Sequence, residues 1–296
     1  MDLFSEAGLG ALCALGSALT WAVITFIVRT LTPAFNSVTL NALRTTAAGV
    51  LLVVWALAAG GSAELTSVSA ASFGLLILSI VLASAMGDTV FFESSQRVGL
   101  APALTISMTY PLMAALLAAG FLGEPMTLRV LAGAVLTLGG LAMIARARDE
   151  AAHAGDQWWL GFACAMLAAL AWAVSAILLK APLREMDALT AQALRMPVSG
   201  ALLWATPWAR GAAARIAGSP PSVRWRLVVL CALTAVSSTM YVAGIKYAGV
   251  AVGTILSSTA PMWALPIGFI ALRERLSATA IIGLVVTIAG IIILQL

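Results

Sequence analysis

The sequence predicts an all-α polytopic membrane protein: ten transmembrane helices, built as two inverted five-helix repeats around a central cavity. Three observations predict it. Of the 296 residues, 62% are hydrophobic and only 9% are charged, and the mean hydropathy is +1.05. A soluble domain carries about 25% charged residues, so this chain has too few charges to cover a water-facing surface. Apolar runs of the length a helix needs to cross a bilayer recur throughout the chain. The third observation is that the chain repeats itself.

Reading apolar runs between polar breaks gives ten spans, at about 7–28, 37–59, 71–92, 101–122, 128–145, 157–179, 188–209, 226–246, 251–272 and 277–295. The N-terminal stretch "MDLFSEAG" is acidic and the run after it is too long for a signal h-region, so it reads as the first span. A polar stretch near the midpoint, "RARDEAAHAGDQ", separates two halves, 1–147 and 148–296.

The halves are copies. Shifted by 151, residues 10–49 match 161–200 at thirteen of forty positions, including Cys13/Cys164, Trp21/Trp172, Arg44/Arg195 and Gly49/Gly200. Shifted by 150, residues 99–140 match 249–290 at twelve of forty-two, including Ser107/Ser257, Pro111/Pro261, Glu124/Glu274, Gly133/Gly283 and Gly140/Gly290. Ala and Leu bias does not pair Trp, Pro, Arg, Glu and Gly in one register, so the reading is an internal duplication. Each half holds five spans. Five is odd, so the second half enters the membrane from the opposite side, the inverted arrangement of many secondary transporters, which bind substrate between their repeats.

The stretches "GDTVFFESSQRVGLAPALTISMTYP" at 87–111, "FLGEPMT" at 121–127, "AGIKYAGVAVGTILSSTAP" at 243–261 and "ALRERLS" at 271–277 resemble the EamA-type branch of the drug/metabolite transporter superfamily. "ALTWAV" at 18–23 and "NALR" at 41–44 fit the start of that family's repeat, so the resemblance spans essentially the whole chain. It implies ten helices around a central cavity, and export of amino acids or other small metabolites across the bacterial inner membrane. The sequence is compatible with the branch that exports aromatic amino acids.

Candidate site residues follow from chemistry that is costly in lipid. Pro111 and Pro261 fall inside the fourth and ninth spans, where proline frees the carbonyl four residues earlier, those of Ser107 and Ser257. Met108, Tyr110, Ser258 and Trp263 lie within a turn of those breaks. Trp21 and Trp172 sit deep in the first and sixth spans, away from the interfacial belt. With Tyr241 and Phe92 they offer either an aromatic-lined cavity or plain packing bulk. Asp88 lies late in the third span opposite Ser238 in the repeat, and reads as a proton-coupling carboxylate, a contact for a substrate ammonium, or a locally bonded acid. Arg44 and Arg195 open the second and seventh spans, and Glu124 and Glu274 close the fourth and ninth. Inverted topology puts Arg195 with Glu124 and Arg44 with Glu274, which predicts two inter-repeat ion pairs or four separate snorkelling groups.

Other chemistries find no foothold. The single histidine, His153, lies in the polar connection, and Cys13, Cys164 and Cys231 sit separately inside apolar runs, so no metal set forms and no cofactor is expected. An intramembrane enzyme would need a convergent set that the spans lack. The charge of +4 is scattered, with no basic stripe for nucleic acid. The expected partners are a small-molecule substrate and the lipid bilayer, with the chain a monomer or a homodimer. No P-loop is present, so transport would be secondary. The leading expectation is an exporter of amino acids with aromatic or hydrophobic side chains, with export of cationic drugs and a non-transporting scaffold as alternatives. Eleven arginines on one side against five basic residues on the other favour both termini outside, whereas the resemblance implies both in the cytoplasm.

Overall fold

The structure is a computed structural model and describes residues 5–31, 34–60, 67–98, 103, 106–147, 158–260, 262–263, 266 and 278–295. Every regular element among them is helical. The principal helices are α1 (Glu6–Leu31), α2 (Ser37–Ala58), α3, α4, α5 (Leu128–Ala147), α6 (Trp158–Lys180), α7 (Ala188–Trp204), α8 (Pro221–Ala248), α9 (Val250–Ser257) and α10 (Ala278–Gln295). The third, α3, is α-helical over Ala70–Ile80, π-helical over Val81–Asp88 and α-helical again over Thr89–Val98. The fourth, α4, is α-helical over Tyr110–Leu117 and π-helical over Ala118–Leu122. The ten helices fall on the ten apolar runs. Among the described residues, five stretches (6–28, 38–58, 70–88, 158–184 and 221–248) are long and apolar enough to cross a membrane by themselves, and 110–122, 128–144 and 281–294 are shorter apolar helices.

The two halves begin their second helix in the same way. Asn36 caps α2, its Oδ1 accepting from the Thr39 N–H at 2.7 Å, and Asp187 caps α7, its Oδ1 accepting from the Thr190 N–H at 2.6 Å. A side-chain oxygen there satisfies a backbone donor that the helix cannot. The seventh predicted span ends early, at Trp204, because "TPWARG" forms a 3₁₀ turn at Pro207–Ala209, and a short helix at Ala212–Ala217 follows it before α8 begins.

Helix packing follows the duplication. α1 packs on α8, and its repeat mate α6 packs on α3. α2 packs on its own mate α7, and α5 on its own mate α10. In these self-paired helices the close contacts run in opposite senses. A Cβ at Gly49 would strike Pro197, and one at Gly200 would strike Thr46. Gly133 meets Gly290 and Leu294, while Gly140 meets Gly283 and Thr287. Rising numbers on one helix meet falling numbers on the other, so both pairs are antiparallel. Two antiparallel helices exchanged by a twofold require an axis perpendicular to them, which is the geometry of inverted repeats. Helices close to this distance only where side chains are small.

The glycines of α5 and α10 therefore form a seam inside the monomer. Gly140→Val is expected to lower unfolding stability by about 1–3 kcal/mol, the range for overpacking a tight contact. Gly139→Val, where a Cβ meets nothing within 4 Å, should leave it nearly unchanged. Thermal melting of both variants in detergent measures the difference.

Candidate functional site

The π-helical stretch of α3 organises the centre of the molecule. A π-turn widens the helix and shifts the side chains that follow it, and such turns recur at functional sites. Its repeat mate, residues 231–238, lies in ordinary α-helix within α8, so the duplication diverges here. The indole N–H of Trp172 on α6 reaches into the widened turn and donates both to the Ala83 carbonyl and to Asp88 Oδ1, each at 3.1 Å. The approach depends on Gly87, where an added Cβ would lie against Nε1 and Cδ1 of the indole. Phe91 and Tyr110 pack on the same indole, with ring centroids at 5.4 and 5.8 Å.

Two polar chains meet this aromatic group. In the first, Ser199 on α7 bonds Ser84 at 3.0 Å, and Asn41 Nδ2 on α2 donates to Ser84 at 3.5 Å. Asn41 Oδ1 accepts from Arg44 Nε at 2.9 Å, and the Arg44 guanidinium lies 5.0 Å over the Trp21 ring. Asn41, Ser84 and Arg44 all lie within interaction range of the Asp88 carboxylate. In the second chain, Arg195 Nη1 donates to Gln192 Oε1 at 2.8 Å, Arg195 Nε donates to Ser79 Oγ at 3.1 Å, and Ser175 Oγ donates to the Ser79 carbonyl at 2.6 Å. Tyr241 lies within electrostatic range of both Arg195 and Tyr110. Among the described residues the centre thus holds one carboxylate and two guanidiniums with five aromatic rings, contributed by both repeats.

The arginines overturn one expectation. Arg44 and Arg195 do not open their helices at the membrane surface. Each lies seven residues in, roughly 10 Å along the axis, and they are 8% and 3% exposed. Each bonds the amide side chain three residues earlier, Asn41 or Gln192, and those amides are repeat mates. The Arg195–Glu124 pair does not form. Glu124 lies beyond the end of α4 and caps α9 instead: the Val250 N–H donates to its two oxygens at 3.0 Å, and the Ala251 N–H to Oε2 at 3.2 Å. Gly249, at φ +84°, makes the left-handed entry to that helix. Lys180 Nζ stands 3.6 Å from Glu124 Oε1 and donates to the carbonyls of Ile245 and Lys246. Lys246 donates to the Met186 carbonyl at 2.7 Å. A carboxylate of the first repeat therefore latches the start of a helix in the second. Glu185 joins the halves at the same end, accepting from the hydroxyls of Ser69 and Ser72, bonds that lower its carboxyl below the usual range.

Other predicted residues fall elsewhere. Met108 and Trp263 pack with Leu141 and Ile144 against the α5–α10 seam rather than around Trp172. Ser107 donates to the Ala103 carbonyl and Ser258 to the Ile255 carbonyl, while Ser257 Oγ and Trp263 Nε1 are buried with no partner among the described residues. Pro111 lies at the second position of a helix that restarts after a turn at Met108–Thr109, so the fourth span is broken rather than kinked. α9 ends in a matching turn at Ser258–Thr259. Pro261, Glu274 and His153 lie outside the described residues, as does the side chain of Phe92, whose backbone belongs to α3. Glu93 and Arg97 form an i,i+4 ion pair. The neutral members of the two chains, Asn41, Ser84 and Ser199 in one and Ser79, Ser175 and Gln192 in the other, carry no chemistry that stands out in the sequence. The repeated NALR and QALR carried their only signal.

Gly87→Ala is expected to push the indole from the π-turn and lower stability by about 1–3 kcal/mol. Gly120→Ala, a position where a Cβ meets nothing within 4 Å, serves as the control in the same melting experiment.

Comparison with known proteins agrees with this architecture. The EamA-like transporter family model matches the chain twice, over residues 8–146 and 159–296. An "Uncharacterized transporter" of Archaeoglobus fulgidus is 26% identical over 222 residues, covering 75% of this chain and 76% of the relative. A solved crystal structure superposes with a TM-score of 0.79 at 20% identity, covering 98% of this chain and 95% of that one, and so shares the fold. With two matched copies filling nearly its whole length, the chain is a multi-pass membrane protein that belongs to the EamA-like transporter family.

Proposed function

We propose that this transporter exports amino acids with aromatic or hydrophobic side chains across the bacterial inner membrane. The observation that supports the reading is the meeting of Asp88 and Arg44 in one polar group beside the Trp172, Phe91, Tyr110 and Trp21 rings. A zwitterionic amino acid has an ammonium for the carboxylate, a carboxylate for a guanidinium, and a side chain for the aromatic faces. Buried charges in a membrane protein are costly and mark substrate or ion pathways. Two buried arginines beside a single acid disfavour a site for organic cations.

Alternating access would rock the repeats about this centre. Opening the end near Lys180 would release the backbone N–H groups of α9 from Glu124, and the opposite end would close.

Flux from proteoliposomes loaded with labelled tryptophan, phenylalanine or leucine tests the substrate. Trp172→Ala is expected to lower flux about fivefold or more, the scale of one aromatic contact, and Trp21→Ala to lower it less. Asp88→Asn should cost at least about tenfold, as loss of a charged hydrogen-bond partner does. Wild-type flux from both tryptophan variants, or exchange of organic cations in place of amino acids, would show the reading to be wrong.

The latch has its own readout. In a background with the three native cysteines replaced by serine, Ala248→Cys at the end of α8 should react faster with an impermeant maleimide once Glu124→Gln is added. An unchanged labelling rate would mean that Glu124 holds nothing closed.

A further inference from the structure

A groove of about 760 Å³ opens on the outer face of the helix bundle, away from the Trp172 group. Leu43, Val50 and Leu51 of α2 form one wall, and Leu227 and Val228 of α8 the other, so the lining is apolar. Arg224, in the first turn of α8, is its one charged lining residue among the described residues. Ile216, from the short helix at Ala212–Ala217, covers the same end.

The groove is a product of the divergence between repeats. Under the repeat shift the mate of Arg224 is Gly74, so the arginine has no counterpart. The connection from α7 to α8 carries the additional short helix, anchored to α2 by Arg215 Nη2 donating to Thr39 Oγ1 at 3.1 Å, and by Asn36 Nδ2 donating to the Trp208 carbonyl at 2.9 Å. From residue 205 to 226 the chain holds four arginines and no acidic residue. Trp208 and Trp225 are 64% and 67% exposed beside them. Tryptophans and arginines together mark the headgroup level of a bilayer, and the apolar walls run inward from it. From Arg224 to Ala232 the groove follows α8 for roughly 12 Å, close to the depth of one leaflet's hydrocarbon, about 15 Å.

We propose that this groove is a binding site for one anionic phospholipid, with an acyl chain between α2 and α8 and the phosphate on Arg224. A zwitterionic lipid offers the same chain, so the selection lies in net headgroup charge. The site would pin the α7–α8 connection, and with it the contact between repeats at Thr39, to the membrane surface.

The test uses the purified full chain in detergent, with native mass spectrometry and thermal melting in the presence of phosphatidylglycerol, phosphatidylcholine or inorganic phosphate. Phosphatidylglycerol is expected to bind and raise the melting temperature, with the other two giving little. Arg224→Gln should weaken phosphatidylglycerol binding about fivefold, the scale of one basic residue at an anionic surface. Ala47→Phe, which fills the groove, should weaken it without altering the basic residues. Equal binding of both lipids, an equal shift from inorganic phosphate, or wild-type binding by Arg224→Gln would overturn the proposal. Since Arg224 is an exposed residue remote from Asp88, its variant is readable even where Ala47→Phe fails to fold. Failure here leaves amino acid flux unaffected.

Discussion

Backbone-to-backbone approach of two antiparallel helix pairs, α2 with α7 and α5 with α10, sets the frame on which everything else in this molecule hangs. Lipid offers no hydrophobic drive between helices, so association rests on packing and on internal hydrogen bonds. Gly49 and Gly200 on one pair, and Gly133, Gly140, Gly283 and Gly290 on the other, remove the side chains that would hold the helices apart. Because each pair consists of a helix and its own repeat mate, each straddles the pseudo-twofold axis. The remaining helices are then placed twice over: α1 against α8 dictates α6 against α3.

Against that frame the departures from symmetry carry the chemistry. Trp21 and Trp172 occupy equivalent positions, yet one stacks under Arg44 and is 43% exposed, and the other sits in a π-turn with its N–H on Asp88. The difference comes from the partner helix. α3 has glycine at 87 and a carboxylate at 88 where α8 has Ser237 and Ser238. Without a side chain at 87 the indole enters the turn, and with an acid at 88 it finds an acceptor there. Ser238 instead bonds the Ala235 carbonyl of its own helix.

The same economy governs the charges. A bilayer supplies no water to an unpaired polar group, and the buried arginines and Glu124 take hydrogen bonds from neutral side chains or backbone, with Lys180 also 3.6 Å from Glu124. Arg195 uses Ser79 and Gln192, and Glu124 uses the opening N–H groups of α9. Helix termini are half-charges fixed in space, and a carboxylate from the opposite repeat can leave such a terminus as a unit when the halves separate. A pairing of Arg195 with Glu124 would have spent both charges on each other and left α9 uncapped.

The sequence by itself determined the helical class, the ten apolar runs, the duplication and the inversion. Each of these is one-dimensional: span length follows from bilayer thickness, and an odd number of spans per copy forces opposite insertion. It also singled out Trp21, Trp172, Asp88, Arg44 and Arg195, while leaving open whether the tryptophans were packing bulk, the acid locally bonded and the arginines snorkelling. Only the tertiary structure decided who meets whom. Met108 and Trp263, read as neighbours of the proline breaks, went to the α5–α10 seam, because a break in a helix redirects everything after it. Glu124 found a helix terminus rather than an arginine, because Arg195 lies two turns deep and cannot reach the end of its helix. The π-turn at Val81–Asp88 was invisible in the sequence. An extra residue in a helical turn alters no hydropathy pattern, and it is stabilised by an indole that lies 84 residues away in the chain.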